Sequence, residues 1–200
     1  MARDERARQL LDVAEAVFAD RGVQSSSMDD IADRAGITKP ILYDHFGSKD
    51  RLVAAVIMRA GTVLGEAIVA AVGTSTSPET AVANGLRAYF EFIDERRTGL
   101  RSLLTEGVVP GSEAAAALET VRDQQAALIA ALLLEHSDVP DPARARIYAQ
   151  IVIGATERLA TRPDAATPSV DELTHHVMDV IWCGFSTLRD GSRWQPSASG

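Results

Sequence analysis

A single cysteine, Cys183, carries all the thiol chemistry of this 200-residue chain. One cysteine excludes an intrachain disulfide and a multi-cysteine metal site. A buried thiol is the plain expectation for it, since free cysteine behaves as a small hydrophobe, and an intermolecular disulfide or redox switch is the alternative. Aromatic residues are scarce, at 5%. No stretch approaches eighteen uninterrupted apolar residues, and the start, MARDERARQLL, alternates charges where a signal peptide would be apolar. The expectation is a soluble, cytoplasmic protein with no membrane partner. A Gly-x-Ser-x-Gly elbow, a phosphate-binding glycine loop and a CxxC pair are all missing. His175 and His176 are adjacent, so on a helix they point about 100° apart and cannot share a metal as an i, i+4 pair does. These absences argue against an enzyme, and no cofactor or metal is expected.

Positive charge is short as well. The formal net charge is −8, which taken alone argues against a nucleic-acid binder. The deficit is uneven: residues 1–52 hold eight cations against ten acids, and the remaining −6 lies beyond them. Binding at the N-terminal end would rest on local placement of a few cations and on helix N-termini.

What the chain has is apolar patterning. Hydrophobic residues make up 46%, enough for one domain or for a small domain plus a larger one. They recur at helical spacing and no segment alternates with period two, so the fold class is all-α, with about nine helices. The stretch 27–49 reads as two short helices joined at a glycine. Ser27 can cap the first, with Asp30 three residues on, and Gly36 ends it. Thr38 offers the next N-cap, Pro40 suits a first helical turn, and Leu42 and Phe46 share one face. A helix from Asp4 to Asp20, with Leu10, Ala14, Val17 and Phe18 inward, would brace this pair. Arg3, Arg6 and Arg8 ahead of it are either a frayed end or phosphate contacts. The geometry fits a helix-turn-helix.

Stepping 100° per residue from an inward Leu42 turns Pro40 and Asp44 most directly outward, flanked by Ile41 and Tyr43, and leaves His45 near the buried side. Thr38 and Lys39 lie where backbone N–H groups and a cation favour a phosphate. Asp44 is either a solvated charge or an acceptor for a cytosine amino group, and Ile41 either meets a thymine methyl or closes the small core. Candidate DNA-contacting residues on this reading are Ser27, Thr38, Lys39, Pro40, Ile41, Tyr43, Asp44 and Lys49, while His45 could reach the backbone only at the edge.

Residues 18–22 (FADRG), 26–32 (SSMDDIA), 35–38 (AGIT), 42–46 (LYDHF) and 48–50 (SKD), with Leu52, together resemble the DNA-binding domain of the TetR family of transcriptional regulators. The match covers about a quarter of the chain. Ser26 and Ser27 depart from the family's usual threonine, and serine caps equally well. The resemblance implies DNA contacts at Thr38, Lys39, Tyr43, His45 and Lys49; helical geometry supports all of these except His45.

Beyond Lys49 a long apolar helix runs to Gly73 and is long enough to join two domains. Helices then read from Pro78, around Leu100 to Leu104, from Ser112 to His136, from Pro140 to Arg162 and from Val170 to Asp190. The domains expected are residues 1–50 for DNA binding, 51–190 for effector binding and dimerisation, and a frayed tail at 191–200. In the last two helices Ile147 and Ile151, and then Met178, Trp182 and Phe185, supply apolar surface beyond what one core needs. The resemblance implies that these two helices form a four-helix homodimer interface. It also implies a cavity for a small hydrophobic effector, for which Tyr89, Phe90, Leu103, Arg122, Gln125, Tyr148 and Ile151 are the candidates; the alternative is ordinary core packing for Tyr89 and Phe90, and a structural hydrogen bond or a snorkelled side chain for Arg122 and Gln125. The function expected is a ligand-responsive regulator, most often a repressor in such a family, that binds a palindromic double-stranded DNA operator. The alternative is a small-molecule-binding or enzymatic helical dimer without a regulatory role.

Overall fold

A computed structural model describes residues 3–96, 99, 103, 108–136, 141–161 and 168–189. Regular structure among them is entirely helical: α1 (Arg3–Arg21), α2 (Met28–Arg34), α3 (Lys39–Phe46), α4 (Lys49–Gly73), α5 (Pro78–Glu95), α6 (Glu113–His136), α7 (Pro142–Ala160) and α8 (Val170–Arg189). The short helix expected around Leu100 lies outside the described residues apart from Leu103, as does the tail from 191. Two compact units form. One comprises Met1–Gly65 with Phe92–Arg122, the other Glu66–Glu91 with Asp123–Gly200. Thus α4, α5 and α6 each begin in one unit and end in the other.

In the first unit α1 packs on α2 and α2 on α3. The inward stripe of α1 is Leu10, Ala14, Val17 and Phe18, all nearly or completely buried, and Met28, Ile31, Ala32, Leu42, Leu52, Val53 and Val56 add to this core. Each fully buried aliphatic side chain contributes about 1.5–3 kcal/mol by leaving water. The long, apolar α4 matches a bilayer span in length and composition, with a mean hydropathy of 1.8. Its Arg59 argues for a core helix instead. That side chain is mostly covered and pairs at 2.5 Å with Asp12 and with Glu15 of α1, an arrangement that hydrocarbon would not supply.

The second unit holds two apolar clusters. Ala126, Ala130 and Leu133 of α6 meet Ala145, Ala149 and Ile153 of α7, and their small side chains allow close approach. Leu86 and Phe90 of α5 meet Val177 of α8, with Tyr89, Leu173, Met178 and Ile181 packed around them. Asp141 caps α7 by accepting from the Ala143 N–H at 3.0 Å. In α8 a reciprocal box forms: Glu172 accepts from the Ser169 N–H at 2.8 Å, and the Glu172 N–H donates to the Ser169 hydroxyl at 3.2 Å.

Candidate functional site

The turn between α2 and α3 is built by local chemistry. Ser27 and Asp30 form a full capping box: the Asp30 N–H donates to the Ser27 hydroxyl at 3.1 Å, and the Ser27 N–H donates back to Asp30 at 2.8 Å. The Ser27 hydroxyl, then its backbone N–H, then the Arg21 guanidinium hold the Asp30 carboxyl below the usual carboxylate range. Gly36 follows with φ of 65° and Gly47 closes α3 with φ of 76°; in both places a side chain would be strained. Thr38 takes the N-cap backbone conformation but makes no side-chain capping bond. Its hydroxyl is left to the solvent side of the helix start.

Leu42 is the one buried residue of α3, fully enclosed. The wheel drawn from it then places the other side chains. Thr38, Lys39, Pro40, Ile41, Tyr43, Asp44 and Ser27 are exposed, and His45 and Lys49 are half-buried. Ile41 is 43% exposed, so it does not close the small core and is available to a groove. Charge on this face is already paired. The Lys39 ammonium meets Asp29 at 2.7 Å, and that hydrogen bond raises its pKa from the ordinary lysine value. Asp44 sits 3.9 Å from Arg3. Partial burial lowers the pKa of Lys49, opposed by the nearby Asp30 charge.

The second unit contains a partly open cavity of about 130 Å³. Ile68 and Val72 of α4 line it, with Val82, Gly85 and Tyr89 of α5, Gln125, Leu128 and Leu132 of α6, Val152, Ile153 and Thr156 of α7, and Trp182 of α8. Its walls are overwhelmingly apolar. The Thr156 hydroxyl is satisfied by its own helix, donating toward the Val152 carbonyl at 2.9 Å. Gln125 therefore brings amide hydrogen-bonding capacity to an aliphatic surface.

Of the seven effector candidates, Tyr89 and Gln125 line this cavity. Phe90 is packed in the cluster with Leu86 and Val177 and lies edge-on to Tyr89. Arg122 pairs with Glu119 at 2.5 Å in the first unit, and Leu103 is buried there. Tyr148 packs against the Ala126 cluster, and Ile151 points to solvent at 62% exposure. Residues 100° apart on one helix part company when the helix has a core on one side and a cavity on the other. Sequence reasoning missed Ile68, Val72, Gly85 and Thr156. Gly85 inside the amphipathic α5 was the available signal, since a missing side chain there leaves room beside Val72 and Ile68.

Among the dimer candidates Ile147 is 59% and Ile151 62% exposed, on the outward face of α7. Met178 packs into its own core and Trp182 lines the cavity. The outward face of α8 instead carries Val180, 75% exposed, with His176, Asp179 and Cys183. Cys183 is thus exposed, contrary to the plain expectation of a buried thiol. The Phe185 side chain lies outside the described residues. No cluster able to hold a metal occurs among the described residues.

A capped helix, a glycine turn and a second short helix with one buried residue and a fully outward flank define a helix-turn-helix regulator. The comparisons with known proteins agree. The family model described as bacterial regulatory proteins, tetR family, matches residues 10–56, and the tetracyclin repressor-like C-terminal domain matches residues 78–184. This chain belongs to the TetR family of transcriptional regulators. It is 37% identical over 123 residues to the transcriptional activator FasR of Mycolicibacterium smegmatis, an alignment covering 62% of this chain and 56% of that protein. It is 37% identical over 91 residues to the transcriptional repressor KstR2 of the same organism, covering 46% of this chain and 44% of that one. The chain thus spans about half the length of these relatives. A solved TetR-like regulator from Rhodococcus sp. RHA1 superposes with a TM-score of 0.68 at 31% identity, over 93% of this chain and 98% of that one.

Proposed function

We propose that this protein is a ligand-responsive transcriptional repressor that binds a palindromic DNA operator as a homodimer and releases it when a small apolar effector fills the cavity. The observation that carries the reading is the outward flank of α3. Pro40, Ile41, Tyr43 and Asp44 offer two apolar surfaces, a hydroxyl and a carboxylate to base edges in a major groove, while Thr38 and Lys39 meet phosphate at the helix start. Lys49 and Ser27 flank that contact, and His45 reaches only its edge.

One recognition helix reads a few base pairs, so a two-fold pair reading a palindrome supplies the missing specificity. Ile147, Ile151 and Val180 are large apolar side chains turned to solvent on α7 and α8, and a second copy would cover them. The related proteins include an activator and a repressor by name; occlusion of a promoter asks for nothing beyond the DNA-binding surface and the dimer. The effector is an aliphatic or ring-bearing molecule. An engineered apolar cavity of about 150 Å³ takes benzene, so a space of this size holds about six carbons and a longer chain continues through the open side. Filling it displaces the helices that line it, and the effector acts only through its unequal affinity for the two arrangements.

Selection from random duplex DNA should recover a palindrome bound in a salt-sensitive manner; recovery without sequence preference would sink the regulator reading. Octanoic acid should raise the melting temperature and weaken operator binding. In Gly85→Leu, where the new side chain occupies the cavity, that response should vanish, and its survival would place the effector elsewhere.

A further inference from the structure

The cavity lies wholly within the second unit, and none of the described residues lining it carries a charge. The described cations of that unit are engaged or turned away. Arg87 pairs with Asp171 and Arg146 with Asp123 at 3.5 Å, Arg144 and Arg158 are exposed, and His175 and His176 lie beside Asp179 on the exposed side of α8. A helix start could replace a cation, since its first N–H groups lack intrahelical partners. The α5 start at the cavity does not. Pro78 has no N–H, the Thr80 N–H is bonded to the Ser77 hydroxyl at 3.2 Å and that of Ala81 to the Ser77 carbonyl at 2.9 Å, and Glu79 adds a negative charge to this turn. An anion inside the cavity would meet neither a counter-ion nor a row of open backbone donors.

Hydrogen-bonding capacity is present all the same, and it is uncharged. Gln125 offers a carbonyl oxygen and two N–H donors from α6, and among the described residues its amide has no hydrogen-bond partner. It stands at helical spacing from Leu128, Ile129 and Leu132, so it interrupts an aliphatic row that faces the same space. The Thr156 hydroxyl gives its proton to the backbone, at 2.9 Å from the Val152 carbonyl and 3.1 Å from that of Ile153, and retains only acceptor capacity. A side-chain amide on an apolar wall is costly to strip of water unless whatever displaces the water hydrogen-bonds to it.

We infer that the effector is an uncharged molecule, an apolar body bearing a carbonyl, amide or hydroxyl group, and that Gln125 is the residue that selects it by hydrogen bonding to that group. An amide both donates and accepts, so it satisfies a ligand carbonyl through its N–H groups and a ligand hydroxyl through its oxygen. An ionised carboxylate would leave water with no cation beside it, and such a group binds instead as the neutral acid. This rests on the regulator reading above, whose cavity it uses, and adds to it the chemical class that the cavity accepts.

Octanamide and octanoic acid share a tail and have heads of nearly the same shape, and toluene is an apolar probe with no polar group. Binding of each to the full-length protein is measured by calorimetry at pH 5 and pH 7. For an aliphatic carboxyl of pKa about 4.3, the neutral fraction falls about eightyfold between those values. The apparent affinity of the acid should fall by that factor while that of octanamide stays unchanged. Tyr89 is the titratable side chain among the described lining residues, and a phenol is uncharged over this range. Gln125→Leu should weaken octanamide binding by about fivefold or more and bind toluene at least as well as the wild type. Gln125→Lys should prefer octanoate to octanamide at pH 7; if that variant does not fold, the leucine variant, apolar in an apolar wall, decides. Three results overturn the inference: an acid whose affinity ignores pH, octanamide binding unimpaired in Gln125→Leu, or a folded Gln125→Lys that still prefers octanamide. Failure of all three compounds to bind is a different result: it removes the cavity as an effector site, and the inference with it.

Discussion

Gly61→Ala should destabilise this protein although it replaces a poor helix former with the best one. In a helix interior the exchange gains about 0.8–1.0 kcal/mol of intrinsic propensity. Against this stands Val121, whose γ-carbons would lie 2.5 and 2.7 Å from the new Cβ and whose own Cβ would lie at 3.2 Å. Carbon atoms pack at about 3.5–4.0 Å, so two methyls overlap by about an ångström. Val121 is 93% buried, with 7% exposed, and as a β-branched residue in a helix it has one strongly preferred rotamer, which leaves it no ready escape. Overpacking of this kind costs about 1–3 kcal/mol. The net effect is then about 1 kcal/mol of destabilisation. Gly65, one turn later on the same helix, has nothing within 4 Å of its ideal Cβ, so Gly65→Ala should show the propensity gain alone. Because that gain cancels between the two variants, their difference isolates the contact with Val121, about 1–3 kcal/mol. For a chain of this length that is a separation of roughly 2–12 °C in Tm. Urea unfolding at fixed protomer concentration, with equal m-values, is the assay. Combining Gly61→Ala with Val121→Ala should recover more than additivity allows. If Gly61→Ala proves as stabilising as Gly65→Ala, α4 and α6 are not in contact there.

Three further outcomes are expected. Asp29→Asn should tighten operator binding about 1.4- to 5-fold, since the phosphate no longer competes for Lys39 with an exposed ion pair; Lys39→Ala should lower the salt slope by about one, and an unchanged slope would mean that Lys39 meets no phosphate. The Asp30 carboxyl is held below its unfolded value, so its contribution is complete above about pH 4 and is lost as pH falls through the lower folded value. The stability gap between wild type and Asp30→Asn should therefore close on acidification, and a gap independent of pH would remove the capping box from the account. Ile151→Glu should leave a folded monomer by sedimentation, with weakened operator binding; an intact dimer at the same concentration would place the interface on another face.

The helices were legible along the chain because their signals are local. Ser27 with Asp30, Thr38 before Pro40 and the glycines at 36 and 47 act within a turn or two of themselves, and the structure puts α2 and α3 where those residues place them. The exposure of Tyr43 and Asp44 followed in the same way, because a short helix with one buried residue leaves only one orientation for the rest. Family membership lies in that same stretch, where many residues are tied to one local geometry.

Other properties depend on which helix lies beside which. The sequence could not say that Tyr89 faces a cavity while Phe90, its neighbour, fills a core, because both are apolar positions on one amphipathic helix. Nor could it separate the exposed Val180 from the buried Val177. Lys39 reads as a free cation until Asp29 is found 2.7 Å away. Asp50 reads as one more acid in an acidic chain until the N-terminus of α6 arrives beside it. Periodicity and capping signals determined the helices and the outward flank of α3, because those are set by interactions three and four residues apart, and the resemblance to the family rests on particular residues in that same stretch. The cavity, the outward faces and the hydrogen bonds from the start of α6 to Asp50 were decided by tertiary structure, because each depends on which helices lie side by side and a pattern within one helix carries no record of its neighbour.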